Sequence, residues 1–333
     1  MKFGLLPVAQ AGGAISAHAV RAGETRLRKG QRIGAAEQAA LSAAGVGAIV
    51  AAALEADDVP EDEAAERLAR AIAGPGLRRD PPFTGRVNLF AEQAGLLIVD
   101  KARVDAINRV DDAITVATLP QFRAVVEGDM AVTVKIIPFA APASGLAAAC
   151  AASGEGAVAL APFRPLRVGV VSTLLPSLKP SVVNKTLGVL EARLAPARAR
   201  IVEERRTPHA PGPLAEALAE MKARCDLLIV FGASAITDRR DVIPAAVEAA
   251  GGRIAHFGMP VDPGNLLLIG DLAGAPVIGA PGCARSPKEN GFDWVLGRLL
   301  ADVPITRADI QGMGVGGLLM EIESRPQPRQ GDG

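Results

Sequence analysis

Aromatic residues are scarce in this chain: they make up 3% of 333 residues, with one Trp and no Tyr. That removes the stacking platforms on which single-stranded nucleic acid is bound. Charge of either sign is also not in excess, because Lys+Arg and Asp+Glu both number 36 and the formal net charge is zero. The basic footprint of a nucleic-acid or anionic-membrane binder is therefore missing. The three cysteines, Cys150, Cys225 and Cys283, form neither a CxxC pair nor a disulfide framework. His18, His209 and His256 show no HxxxH or HExxH spacing, which argues against a zinc site built by the protein. No uninterrupted apolar run reaches the roughly 18 residues of a membrane span. The N-terminus passes quickly from Met1-Lys2-Phe3 to Pro7 and Gln10, without the apolar core of a signal peptide. These absences lead to the expectation of a cytoplasmic protein with no membrane and no nucleic-acid partner.

Apolar and turn-forming residues are abundant. Hydrophobic types make up 49%, with 36 Gly and 25 Pro, and the mean hydropathy is +0.26. This is enough to bury one or two sizeable cores linked by many tight turns. Four textures divide the chain: an N-terminal α+β unit (1–75), a β-rich unit and connector (76–160), an α/β domain (161–305) and a C-terminal tail (306–333). In the first, a helix over Ala35–Ala44 is ended by Gly45, Val46–Leu54 reads as a strand, and the acids following Asp57 open a helix running to Ile72. Residues 74–82, with Arg78-Arg79 and Pro81-Pro82, look like a linker. Short β-like runs follow at Ala94–Val99, Ala113–Thr118 and Ala131–Phe139, and then a softer Ala/Gly connector over 140–161.

From Leu166 the pattern is a regular alternation. Strands are expected at Arg167–Ser172, Arg200–Glu203, Asp226–Phe231, Arg253–Phe257, Leu266–Ile269 and Pro276–Gly279, with helices between them. Alternation of this kind predicts βαβ units and a doubly wound, mostly parallel sheet. Ser286-Pro287-Lys288-Glu289 reads as a capping box opening a helix to about Leu300.

Ligands of open α/β sheets bind beyond the carboxyl ends of the strands. Three turns fall there: Ser172-Thr173, the stretch from Gly232 through Ala233 and Ser234 to Asp241, and Pro281-Gly282-Cys283-Ala284-Arg285-Ser286. Their small residues allow a ligand to approach the backbone, and a helix start suits a phosphate. Asp238 and Asp241 offer oxygen ligands for Mg²⁺ or a carboxylate to orient a nucleophile, while Arg239 and Arg240 are candidates for an anion. Plainer roles compete: a helix cap for Asp241 and Ser286, a small buried residue for Cys283, and a simple turn for Pro263-Gly264.

At these residues the sequence resembles the molybdopterin-binding superfamily, which includes molybdopterin adenylyltransferase and molybdotransferase. The family's Gly-rich turn leading to an aspartate before a helix is similar to Gly232–Asp241. Its Pro-Gly and Gly-x-Pro-Gly turns are similar to Pro263-Gly264 and Gly279-Ala280-Pro281-Gly282, and its Ser/Thr strand end and downstream Asn to Ser172-Thr173 and Asn184. Gly85–Ala91, Thr133–Phe139, Met259–Asn265, Pro281–Trp294 and Gly314–Ile322 are similar to a bacterial subgroup often fused to a domain resembling molybdenum-cofactor cytidylyltransferase. Here Gly232-Ala233 stands for a Gly-Gly pair, Leu174-Leu175 for a Gly-Asp/Glu pair, and Cys283 for the Asn after Pro-Gly.

The resemblance implies a three-layer αβα domain that binds molybdopterin or the molybdenum cofactor during its biosynthesis, as a self-associating protein. It further implies that Thr173 and Ser234 hydrogen-bond the pterin phosphate on the turns after Gly232 and Pro281, and that Asp241 helps position Mg²⁺ or the dithiolene end. Cys283 is a candidate soft ligand for molybdenum or copper. Three activities stay open: molybdotransferase-like chemistry through Asp238 and Asp241, a non-catalytic carrier serving a separate cytidylyltransferase or target molybdoenzyme, and a nucleotide pyrophosphatase.

Overall fold

The computed structural model describes residues 1–319. Met320, Glu321 and Ile322 of the Gly314–Ile322 segment, and the tail residues that follow them, lie outside the described residues. The chain divides into two compact units, one made of residues 1–93 and 97–160, the other of 94–96 and the chain from Ala161 onward.

The first unit carries several small antiparallel sheets. Strand Ala48–Ala53 pairs with Lys2–Pro7 on one side and Ile15–Ser16 on the other. A second sheet has the order Ile114–Thr118, Met130–Ile136, Arg86–Ala91, Leu77–Arg79, all antiparallel. The helix Glu61–Ile72 lies against this sheet with Ala64, Ala65, Leu68, Ala69 and Ile72 all buried, the i, i+4, i+8 spacing of a single helical face. Its first turn holds Glu61, Asp62 and Glu63, favoured by the positive end of the helix dipole.

Two expectations fail in this unit. The segment 74–82 is not only a linker, since Leu77–Arg79 is an edge strand. The connector over 140–161 contains a strand, a ten-residue helix (Ala143–Ala152) and the strand Val158–Pro162. Six of that helix's ten residues are alanine, the strongest helix former, which outweighs Gly145.

The second unit is built on a six-stranded sheet. Its elements in chain order are β1 (Arg167–Leu174), α1 (Pro180–Leu194), β2 (Arg200–Pro208), α2 (Pro211–Met221), β3 (Leu227–Phe231), α3 (Val242–Ala249), β4 (Arg253–Phe257), β5 (Leu268–Leu272), β6 (Ala275–Ala280) and α4 (Gly291–Leu300). The strand order is β2-β1-β3-β6-β5-β4. The pairs β2-β1, β1-β3 and β3-β6 are parallel, and only β5 runs against its neighbours. The expected mostly parallel sheet is present.

The two faces of this sheet feed separate cores. Val168 and Val170 of β1 join Leu190 and Leu194 of α1 and Phe292, Val295 and Leu296 of α4. Val171 joins Leu214, Leu218 and Met221 of α2 and Ile243, Ala246 and Val247 of α3. Alternate residues of one strand therefore serve opposite faces. The registers set Ser172 beside Phe231 and Phe231 beside Ala280, so three parallel strands end at one level.

Candidate functional site

Thr173 is fully buried at the end of β1. Its Oγ1 accepts the Ala233 N–H at 2.9 Å and lies 2.8 Å from Nδ1 of His209, whose Nε2 lies 3.1 Å from Ser234 Oγ. One imidazole thus bridges the two hydroxyls expected to meet a phosphate. A neutral ring offers one donor and one acceptor, so one of these hydroxyls donates to His209 while the other accepts from it. His209 is itself fixed by its backbone N–H, which donates to Leu174 O at 3.0 Å.

The Gly232–Ser234 turn crosses this strand end. A Cβ on Gly232 would stand 2.6 Å from Ser234 O, so glycine is required there for close backbone approach. Neither Gly232 nor Ala233 has a positive φ, and alanine in the second place costs the turn no backbone strain.

The rest of the loop closes on itself. Asp241 caps α3: one carboxylate oxygen accepts the Val242 N–H at 2.7 Å and the other accepts the Thr237 N–H at 3.1 Å. Asp238 accepts both the backbone N–H and the guanidinium of Arg240 at 2.8 Å, and that guanidinium holds its carboxyl below the usual range. Arg240 is therefore matched by its own neighbour, and Arg239 is exposed.

The third turn, Gly282–Arg285, is a single 3₁₀ turn. Gly282 is exposed, and Cys283 is half-buried and in no disulfide. Arg193 of α1 holds the following loop, donating to the carbonyls of Ala284, Ser286 and Lys288 and pairing with Asp293. The Ser286 capping box does not form. The helix begins instead at Gly291, where Asn290 Oδ1 accepts the Phe292 N–H and Asp293 accepts the Asn290 N–H. The Gly291 N–H donates to Pro263 O at 2.8 Å, so this helix start is already occupied by protein groups. Ser286 Oγ instead accepts the Lys288 N–H at 3.3 Å.

Pro263 and Gly264 are buried against that helix start, and a Cβ on Gly264 would stand 2.8 Å from Gly291 N. Asn184 is exposed on α1 and accepts from Arg206 of β2. Thus Ser172, Thr173, Gly232, Ala233 and Ser234 converge at the strand ends. Pro263-Gly264 meets the start of α4 at Gly291, and Asp238 and Asp241 are committed within their own loop.

Two residues to which the sequence assigned no site role belong to this edge. One is His209. The other is Arg285, which donates to Thr186 Oγ1 of α1 at 2.9 Å and to Gly232 O at 2.8 Å, and lies over the Phe231 ring at 5.3 Å. Among the described residues no group of three His, Cys, Asp or Glu is arranged to hold a metal ion. Each Asp241 oxygen accepts one backbone N–H, and the carboxylate stands in no such group. Among the described residues no helix is long and apolar enough to cross a membrane.

Residues 170–301 match the family model described as a probable molybdopterin binding domain. No curated protein matches the chain. Among solved structures, a molybdopterin biosynthesis MoeA protein from Pyrococcus horikoshii is 15% identical over 74% of this chain and 80% of its own, with a TM-score of 0.32. A molybdenum cofactor biosynthesis protein from Pyrococcus furiosus is 12% identical over 93% and 65%, with a TM-score of 0.26. A second MoeA structure from P. horikoshii OT3 is 11% identical over 91% and 74%, with a TM-score of 0.28.

Proposed function

Since residues 170–301 belong to the molybdopterin-binding superfamily, we propose that this protein binds molybdopterin or the molybdenum cofactor during cofactor biosynthesis. The observation that carries the reading is the joining of Thr173, the Ala233 N–H, His209 and Ser234 at the carboxyl ends of β1 and β3, inside the matched segment. Of the two hydroxyls fixed by one imidazole, the one that accepts from His209 keeps its own proton for an anionic phosphate, and a fixed donor binds at less ordering cost than a mobile one. The two apolar clusters fed by alternate residues of β1 support a three-layer, doubly wound αβα arrangement.

Within this reading the protein binds and hands on its ligand rather than inserting metal. The carboxylates that metal insertion would use, Asp238 and Asp241, are engaged by Arg240 and by backbone N–H groups. A separate cytidylyltransferase or target molybdoenzyme is then the natural recipient, and self-association belongs to the same proposal.

Anaerobic equilibrium binding of molybdopterin to the wild type, Ser234→Arg and Asp241→Ala proteins tests this. Micromolar or tighter wild-type affinity is expected, on the order of Kd 10⁻⁶ M, lost on blocking the turn with Ser234→Arg and retained in Asp241→Ala. Molybdate-dependent product formation that disappears in Asp241→Ala would instead assign a molybdotransferase. Pyrophosphate cleavage of a nucleotide without pterin affinity would overturn the proposal.

A further inference from the structure

We propose that the first unit carries a binding site for a chain of linked phosphates, held by Arg26, Arg28 and Lys29. It lies outside the matched segment 170–301 and does not rest on the pterin reading.

The first observation is a concentration of one charge. Residues 21–32 contain Arg21, Arg26, Arg28, Lys29 and Arg32 against a single acid, Glu24, in a chain whose net charge is zero. All five cations are exposed, and among the described residues none of them pairs with a carboxylate. Arg67, Arg70 and Lys135 of the same unit show the compensated alternative, since each pairs with a glutamate. Glu61, the carboxylate whose charge reaches Lys29, is already held by Lys135 at 3.6 Å.

The second observation is how the charges are set. Strands Val20–Ala22 and Thr25–Leu27 form an antiparallel ribbon whose register puts Arg21 opposite Arg26. The neighbouring pair, Val20 and Leu27, packs into the core. By strand alternation Arg21 and Arg26 therefore share the outer face, and Arg28 continues it. Like charges opposite each other destabilise a strand pair, and a two-stranded ribbon has little else to offset that. A polyanion laid over the pair turns the repulsion into attraction.

The third observation is a turn fixed in advance. The Gln31 N–H donates to Arg28 O at 3.1 Å, closing a turn over Lys29 and Gly30. Gly30 sits at φ +80°, a conformation that favours glycine. The Gln31 side chain accepts the Arg28 N–H at 3.0 Å and donates to Glu37 at 3.3 Å, while the Gly30 N–H donates to Ser16 O at 2.8 Å. Buried Leu27 and Ile33 peg the two ends. Arg26, Arg28, Lys29, Gly30 and Gln31 line one depression of about 540 Å³. Its backbone is ordered before any ligand arrives, which lowers the cost of binding.

The donor set selects the ligand class. Two guanidinium forks and an ammonium bring three full charges to one small volume. A single phosphate group supplies about two negative charges, and an acidic peptide spreads its charges along an extended chain. Linked phosphates concentrate more charge in the same span and offer oxygens to both forks. Inorganic tripolyphosphate and the phosphate chain of a nucleotide share this chemistry, and titration separates them.

Calorimetric titration of the full chain with phosphate, pyrophosphate, tripolyphosphate and a nucleoside triphosphate, at constant ionic strength against chloride, tests the site. Saturable binding is expected, tightening from phosphate to tripolyphosphate. It should weaken by about tenfold or more in the double variant Arg28→Gln/Lys29→Gln, and several-fold in Arg26→Gln. Arg21→Gln should also weaken it, while the ligand-free protein unfolds no earlier than the wild type, because an opposed charge is gone. Gln31→Ala keeps every charge but frees the turn, and should weaken binding several-fold. Arg253→Gln, which removes an exposed cation of the second unit, should change nothing. Equal losses in Arg253→Gln and in the double variant would reduce the effect to net charge and overturn the proposal. Wild-type heats no different from chloride, or tighter binding of a polyglutamate peptide than of tripolyphosphate, would overturn it too. If Gln31→Ala fails to fold, the arginine variants, all at exposed positions, decide the matter. Equal affinity for tripolyphosphate and the nucleotide marks a site for the phosphate chain alone, and tighter nucleotide binding marks one that also holds the nucleoside; either upholds the site.

Discussion

Replacing Thr173 with Val tests whether the strand-end bridge is held as described. The two side chains have the same shape, and the position is fully buried, so packing is preserved while the hydroxyl is lost. The Ala233 N–H is left without its acceptor, a cost of about 1–3 kcal/mol, and loss of the His209 contact adds about 0.5–1.5 kcal/mol. The extra buried methyl returns about 1 kcal/mol, so the net loss is about 1–3 kcal/mol. The single Trp of the chain, Trp294, lies on α4, so its fluorescence during urea unfolding reports on the second unit. At a slope of about 2 kcal/mol/M the midpoint should fall by roughly 0.5–1.5 M. Thr173→Ser separates shape from bonding: it keeps the acceptor for Ala233 and loses a buried methyl, about 1 kcal/mol. Amide exchange at Ala233 is the sharper readout, expected to accelerate in Thr173→Val and to stay protected in Thr173→Ser. Equal protection of that amide in Thr173→Val and wild type would refute the bridge.

Three further outcomes are expected. Asp241→Ala removes the α3 cap and the Thr237 clamp and should lower the Trp294-reported stability by about 1–2 kcal/mol, whereas Asp241→Asn keeps one acceptor and loses about half of that. Gly264→Ala places a Cβ 2.8 Å from Gly291 N at a φ of +144°, and should cost more than about 3 kcal/mol, seen as a large drop in the urea midpoint or in soluble yield. The Arg167 guanidinium, hydrogen-bonded to Asp226, holds that carboxyl below its usual range. Its stabilisation is therefore present above about pH 4 and is lost as pH falls through the depressed folded value. The gap between wild-type and Asp226→Asn midpoints should shrink between pH 5 and pH 3, that is across about the unfolded pKa.

The parallel core was legible because β1, β3 and β6 are covered on both faces. Leu227–Phe231 is five apolar residues in a row and buried throughout, the pattern of an interior parallel strand. The edge strand was only half legible. Its expected end at Glu203 falls five residues short of Pro208, because Glu203, Glu204, Arg205 and Arg206 look like a solvated run. In the fold they pair with one another and with Arg224 and Glu220 along an exposed edge, which is how natural sheets protect such strands. That shortfall hid His209, since a residue must be placed at a strand end before it can be read as part of the site. Arg285 was hidden differently: its surroundings come from Phe231, Thr186 and Gly232, which are between 53 and 99 residues away in sequence. The start of α4 was misplaced because Ser-Pro-Lys-Glu satisfies the local capping rule, while the buried Asn290 and the contact with Pro263 decide the matter through tertiary structure.

A depression of about 830 Å³ in the second unit lies at the opposite end of the sheet, lined in part by Arg164, Arg167, Asp226 and Asp302. Size alone would make it the binding site, but its chemistry argues otherwise. Arg167 forks onto Asp226 and Arg164 pairs with Asp302, so these arginines are already matched and gain little from an anion in an open, hydrated groove. At the carboxyl ends the balance is reversed. Arg285 has only neutral acceptors, Ser172 has none, and His209 holds two hydroxyls in place. A parallel array brings its loops together at the end where Ser172, Phe231 and Ala280 stand level. Unsatisfied donors collected there by topology are a stronger reason for a ligand than volume at an edge whose arginines are already paired.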